Sequence, residues 1–215
     1  AFASEASDAW KQAKEMRDAA KKTSDETARA EAQKNAESFA KQKAETLAGS
    51  KATLSKLDLM YLGLLQGWGG DKSGAIATLR DAVAKKEETK YGANIHAALV
   101  SALIDNGEVD GAAIEAGKMR ETYAEAKETK VSVMNVGMAY RGTMSHDKAA
   151  TWLQTALEMN DYSAIKPLVN SLLMAGRKAD AIAGRETCGP CVLRATAAAR
   201  PRRGIRRRAR SSRSS

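Results

Sequence analysis

Residues 99–119, LVSALIDNGEVDGAAIEAGKM, decide the fold. Leu99, Val100 and Leu103 step at short helical intervals and so share one face. Gly107 interrupts the run, and five residues later Ala112 opens a second apolar stripe through Ala116 and Met119. A glycine there supplies the left-handed backbone that ends one helix, and the small alanine lets a second helix cross the first closely. The stretch reads as an antiparallel helix pair.

The same skeleton recurs on both sides. Upstream it is Leu62-Gly63, Gly70, Ala75, Leu79 and Ala82. Downstream it is Val136-Gly137, Tyr140, Met144, Ala149, Leu153 and Ala156, then a shortened Leu168, Leu172, Gly176 and Ala181. The turn residues 70, 107, 144 and 176 lie 37, 37 and 32 residues apart, each followed five positions on by Ala. One pair cannot bury its own apolar face, so the pairs must stack into a quasi-linear right-handed superhelix.

This pattern resembles the tetratricopeptide repeat (TPR) family. The residues that carry the resemblance are Leu62-Gly63, Val136-Gly137, Tyr140, the turn glycines Gly70, Gly107 and Gly176, and Ala75, Ala112, Ala149 and Ala181. Departures are the lack of proline between pairs, the 37-residue steps, and Ser or Leu in some aromatic columns. The resemblance implies a non-catalytic protein-interaction scaffold whose concave groove, lined by the first helix of each pair, binds a peptide or protein partner. Carried onto this chain, the groove comprises Met60, Leu64 and Trp68, then Asn94, Ser101 and Asp105. Met134, Asn135, Met138 and Arg141 follow, and Lys166 and Asn170 close the series. Trp68, Asn94, Ser101, Asp105, Asn135, Met138, Arg141 and Asn170 are the expected partner-binding residues. Asn both donates and accepts toward a peptide backbone, and Met offers adaptable apolar surface. Lys166 and Asn170 also resemble half of a carboxylate clamp, but its other half would need two further repeats, so no clamp is expected.

Composition agrees with an all-α solenoid. Ala, Leu, Lys and Glu dominate, aromatic residues are 5%, and only three prolines occur. No run of 18 apolar residues is present, so no membrane-spanning helix is expected. From Ser4 to about Leu47, apolar positions at Trp10, Ala13 and Met16, then Ala36, Phe39, Ala40 and Leu47, predict a charged helical hairpin broken at Thr23-Ser24-Asp25. Its small residues bury little area, so it needs to dock on the rest. The expected organisation is a hairpin over 1–50, helical repeats over 51–186, and a disordered basic tail over 187–215.

Net charge is +9, yet residues 1–185 hold 26 basic and 25 acidic side chains, while residues 186–215 hold nine Arg, no Lys and one Glu. The basic character therefore belongs to the tail. Such a segment can contact nucleic acid or anionic lipid through phosphates. A shifted reading frame would leave the same signature, a switch from Lys to Arg and a repeat that breaks off, and both readings stay open. Cys188-Gly189-Pro190-Cys191 resembles a thioredoxin redox centre, but an Arg-rich tail follows it instead of a β-strand scaffold, and Thr187 stands where Trp is usual. The helical part of a larger thioredoxin-like redox protein therefore stays an alternative; otherwise the two cysteines form a local disulfide or half of a zinc site, or serve no function. Ala1-Phe2-Ala3 is a small-x-small triplet of the kind left by signal peptidase, which predicts a periplasmic or secreted protein; the alternative is a fragment boundary and a cytoplasmic protein. His96 and His146 have no ligand partners at metal spacing, and no phosphate loop or nucleophile motif occurs. Neither enzymatic activity nor a cofactor is expected.

Overall fold

The structure, a computed structural model, describes residues 4–187. The Ala1-Phe2-Ala3 triplet, the Cys188–Cys191 motif and the Arg-rich tail with its expected disorder lie outside the described residues. The described residues form α1 (Glu5–Lys22), α2 (Glu26–Ala48), α3 (Lys56–Trp68), α4 (Lys72–Ala84), α5 (Gly92–Asp105), α6 (Val109–Thr122), α7 (Lys127–Gly142), α8 (His146–Glu158), α9 (Ile165–Met174) and α10 (Lys178–Thr187). Two short 3-10 turns, Lys51–Thr53 and Tyr162–Ala164, precede α3 and α9, and no strand occurs among the described residues. No helix among them is long and apolar enough to cross a membrane.

Helices start where a side chain can satisfy the free amides of the first turn. Ser4 Oγ accepts from Ser7 N–H at 3.1 Å, Asp25 from Ala28 at 2.7 Å, Ser55 from Asp58 at 3.1 Å and Asp71 from Gly74 at 2.9 Å. Consecutive helices pair as α1/α2, α3/α4, α5/α6, α7/α8 and α9/α10, and each pair packs on the next. The first helices α1, α3, α5 and α7 also touch in order and form one row.

The turns have one geometry. Gly70, Gly107 and Gly176 have φ of +93°, +82° and +77°, and Met144, in the same column, is forced to +58°. The next residue's N–H then reaches back five residues, Asp71 to Gln66, Glu108 to Leu103, Ser145 to Tyr140 and Arg177 to Leu172, at 2.8–2.9 Å. These bonds close the helix end and fix the reversal.

The crossings share a rule as well. At Gly63 a Cβ would lie 2.7 Å from Leu79 Cγ, and at Gly137 it would lie 2.8 Å from Leu153 Cγ. In the α5/α6 pair the same two columns hold Val100 and Ala116, both fully buried. Gly with Leu and Val with Ala carry the same number of side-chain carbons, so the crossing is filled from one helix or from the other.

The lengthened repeats are accommodated in the linkers. Residues 85–91 join α4 to α5 without proline and are held by hydrogen bonds: Lys56 N–H donates to Glu87 at 2.8 Å, and Lys56 Nζ donates to the Lys85 carbonyl at 3.1 Å. One apolar core runs from Leu59 to Ala181 through four pairs. A second joins Ala6, Ala9 and Ala13 of α1 and Ala40, Ala44 and Leu47 of α2 to Leu62 and Leu65 of α3. The N-terminal hairpin is thus docked as the first pair of the stack. Between the α5/α6 and α7/α8 pairs, Tyr140 Oη donates to Asp110 at 2.6 Å, and Lys148 Nζ donates to the same oxygen at 2.8 Å. Burial, reinforced by the Asp110 carboxylate, pushes the Tyr140 phenol up to about 12.

Candidate functional site

Core packing covers much of each first helix, and on α5, α7 and α9 what remains is a stripe. On α7, Val133, Val136, Gly137 and Tyr140 face the core, while Lys127, Val131, Asn135 and Met138 are exposed at three- and four-residue steps. The α5 stripe runs from half-buried Asn94 through Ala98 to exposed Ser101 and Asp105, and the α9 stripe through Lys166, half-buried Asn170 and Leu173. Asn94, Ser101, Asp105, Asn135, Met138 and Asn170 all lie on these stripes.

Several of them have partners within the chain. Asn94 Nδ2 donates to Glu128 Oε1 at 3.1 Å, so its amide bridges α5 to α7. Arg141 is half-buried with its guanidinium 3.9 Å from Met138 Sδ, which places the two together at one end of α7. Trp68 is half-buried beneath α1: its ring stacks on Trp10 at 5.9 Å, and the Arg17 guanidinium lies 4.2 Å from its centroid. Trp10 in turn meets Tyr61 at 5.4 Å, giving an aromatic cluster at the N-terminal end of the row. Met60, expected in the groove, is only 7% exposed and belongs to the core, because its unbranched chain turns in among core side chains.

Leu64, Trp68, Ser101 and Asp105 come together in a cleft of about 250 Å3 between α3, α4 and α5. Lys72 Nζ closes one edge by donating to the Asp105 carbonyl at 2.8 Å. The arrangement offers apolar wall, a hydroxyl and one charge of each sign, which suits recognition of a chain segment. No group of three or more His, Cys, Asp or Glu at metal-binding spacing occurs among the described residues. His96 faces away from the stripe: its Nδ1 is 2.5 Å from Glu115 Oε1, and Lys118 Nζ donates to the other Glu115 oxygen at 3.0 Å. Burial, the largest influence on Glu115, would raise its carboxyl, but the hydrogen bonds and charges of His96 and Lys118 together hold it below the usual range. His146 begins α8, following the turn at Met144, with Asp147 in the first helical turn.

Sequence reading missed Val131 and Leu173, which are 47% and 44% exposed on the first helices of their pairs. Val131, Met134 and Met138 are spaced i, i+3, i+7, a signal visible in the sequence but there attributable to core. Arg17 was missed as well, since a basic residue on an alanine-rich helix gives no hint that an aromatic ring lies beneath it.

No protein-family profile matches the sequence. No curated protein matches it either. Among solved structures, the nearly identical TPR-like repeats of a kinesin-light-chain-type protein from Podosopora anserina superpose with a TM-score of 0.59 at 14% identity, covering 89% of this chain and 95% of that one. BtubC (BKLC) from P. vanneervenii superposes with a TM-score of 0.52 at 14% identity over 99% of this chain and 100% of that one. With these neighbours and its own stacked helix pairs, the chain has the TPR-like fold, an all-α solenoid.

Proposed function

We propose that the protein is a non-catalytic scaffold that binds a peptide or protein segment along the exposed stripe of its first helices. The observation that carries this reading is the α7 stripe, where Val131 and Met138 stand in solvent on either side of Asn135. Exposed valine and methionine gain from being covered, and an amide between them can pair with a bound backbone. Trp68, Ser101 and Asp105 extend the surface toward the N-terminal end, with Arg141 at the end of α7 and Asn170 beyond it on α9. The test is affinity capture with the full chain beside Met138→Glu and Asn135→Ala, followed by binding of each captured protein in purified form. A genuine groove partner binds the wild type and loses at least about tenfold in affinity to Met138→Glu; a partner indifferent to both variants refutes the groove. A second reading rests on the nine arginines after residue 187, which suit a phosphate-bearing partner such as nucleic acid. Deleting 188–215 and measuring salt-dependent RNA retention tests it.

A further inference from the structure

We propose that the cleft between α3, α4 and α5 takes one aliphatic side chain, of isoleucine, leucine or methionine size, from the segment bound along the groove. This rests on the groove reading above and adds the residue that anchors its partner. The repeats themselves show what the cleft lacks. Three positions before the turn residues stand Gly67, Ile104, Arg141 and Leu173. That column holds a long side chain in three of the four pairs with this turn and none in the α3/α4 pair. Ile104 is half-buried and packs against the core. A Cβ at Gly67 would meet nothing beyond its own helix nearer than Ala75 Cβ at 3.6 Å, an ordinary contact, so the place where an isoleucine side chain would begin is open.

The helix crossing one turn earlier does not take up this volume. Gly63 with Leu79 and Val100 with Ala116 carry equal numbers of side-chain carbons, so the difference between the two pairs falls on Gly67. The facing wall is short as well: α5 lines the cleft with Ala98, Ser101 and Ala102, where the same columns of α7 carry Asn135, Met138 and Ala139. What remains is about 250 Å3, below the usual size of a small-molecule site and ample for one side chain. The walls select its chemistry. Leucine and alanine side chains dominate them, and Lys72 at the edge already donates to the Asp105 carbonyl at 2.8 Å. A charged side chain would lose its water there without gaining a partner. The opening lies on the groove, because Ser101 and Asp105 are exposed on the α5 stripe and line the cleft too. A segment running across α5 therefore passes over it, with the Ser101 hydroxyl beside the opening to pair with its backbone.

The probe is a displayed library of random linear peptides of about 12 residues, long enough when extended to reach from α3 to α7. It is selected on the full chain, and the peptides recovered are synthesised and titrated by fluorescence anisotropy. The expected result is enrichment of isoleucine, leucine or methionine at one peptide position. Replacing that residue by alanine should weaken binding about fivefold, and Gly67→Ile, which fills the cleft from within, should do the same. The two losses should not add, because both remove one contact. Gly67→Ile should unfold at the same or a higher temperature than the wild type, since it replaces a helical glycine and occupies open space. If it unfolds earlier, Ala98→Leu fills the cleft from the α5 wall and gives an independent reading. Peptides that lose affinity to Met138→Glu but not to either filling variant keep the groove and overturn the cleft. Peptides indifferent to Met138→Glu as well overturn both. Enrichment of aromatic or charged residues at the position sensitive to Gly67→Ile overturns the aliphatic assignment. So does peptide binding seen only after deletion of 188–215, because the chain's own segment then fills the cleft.

Discussion

The crossing rule makes a quantitative prediction that exchanges the packing of one pair for that of its neighbour. Leu153→Ala removes most of a fully buried side chain opposite Gly137 and should cost about 3 kcal/mol. Gly137→Val forces new carbon into a site where a bare Cβ already lies 2.8 Å from Leu153 Cγ, 2.9 Å from its Cδ2 and 3.3 Å from its backbone nitrogen. The leucine tip can swing but the backbone cannot, so this change should cost about 2 kcal/mol in spite of the better helix propensity of valine. The double variant rebuilds the Val100 and Ala116 arrangement, in which the valine occupies the space the leucine vacates. It should therefore lie about 2–3 kcal/mol above the additive expectation. Urea unfolding followed by far-UV circular dichroism on the four proteins of the cycle measures this. A coupling within about 0.5 kcal/mol of zero would show that the two columns do not share one volume, and the account of the crossings would fail.

The turn at Met144 offers a gain in stability: Met144→Gly relieves a left-handed backbone held by an exposed side chain, and thermal unfolding should shift upward by about 1–4 °C. Tyr140→Phe removes the hydroxyl that ties α7 to Asp110 and should cost about 1–2 kcal/mol in denaturant titrations. Glu115→Gln tests the buried link to His96 and Lys118. The folded-state pKa of Glu115 is depressed, so its contribution is fully present above the unfolded carboxyl value of about 4.3 and fades as pH falls through the lower folded value. The stability gap between wild type and Glu115→Gln should thus be constant near neutrality and close in acid; a gap that widens below about pH 4 would contradict the assigned sign.

The reversals and crossings were legible in the sequence because each depends on one residue type for a local reason: glycine for a positive φ, alanine or glycine for close approach. Such requirements leave a mark at fixed spacing whatever surrounds them. The exposed stripe was legible only in part, because exposure is decided by neighbours distant in sequence. Trp68 has the right column for a groove residue, but α1 lays Trp10 and Arg17 over it, and α1 belongs to a hairpin without the glycine turn that marks the repeats. Asn94 is likewise engaged by Glu128, a residue of another pair. Val131 and Met138 remain in solvent because α7 meets α5 and α6 on one side and α8 on another, while α9 packs chiefly on α8. The surface proposed for a partner is thus most open where the row of first helices loosens, toward the C-terminal half. Substitutions on α7 should therefore weaken a groove partner more than equivalent substitutions on α3, where α1 already covers the aromatic residues.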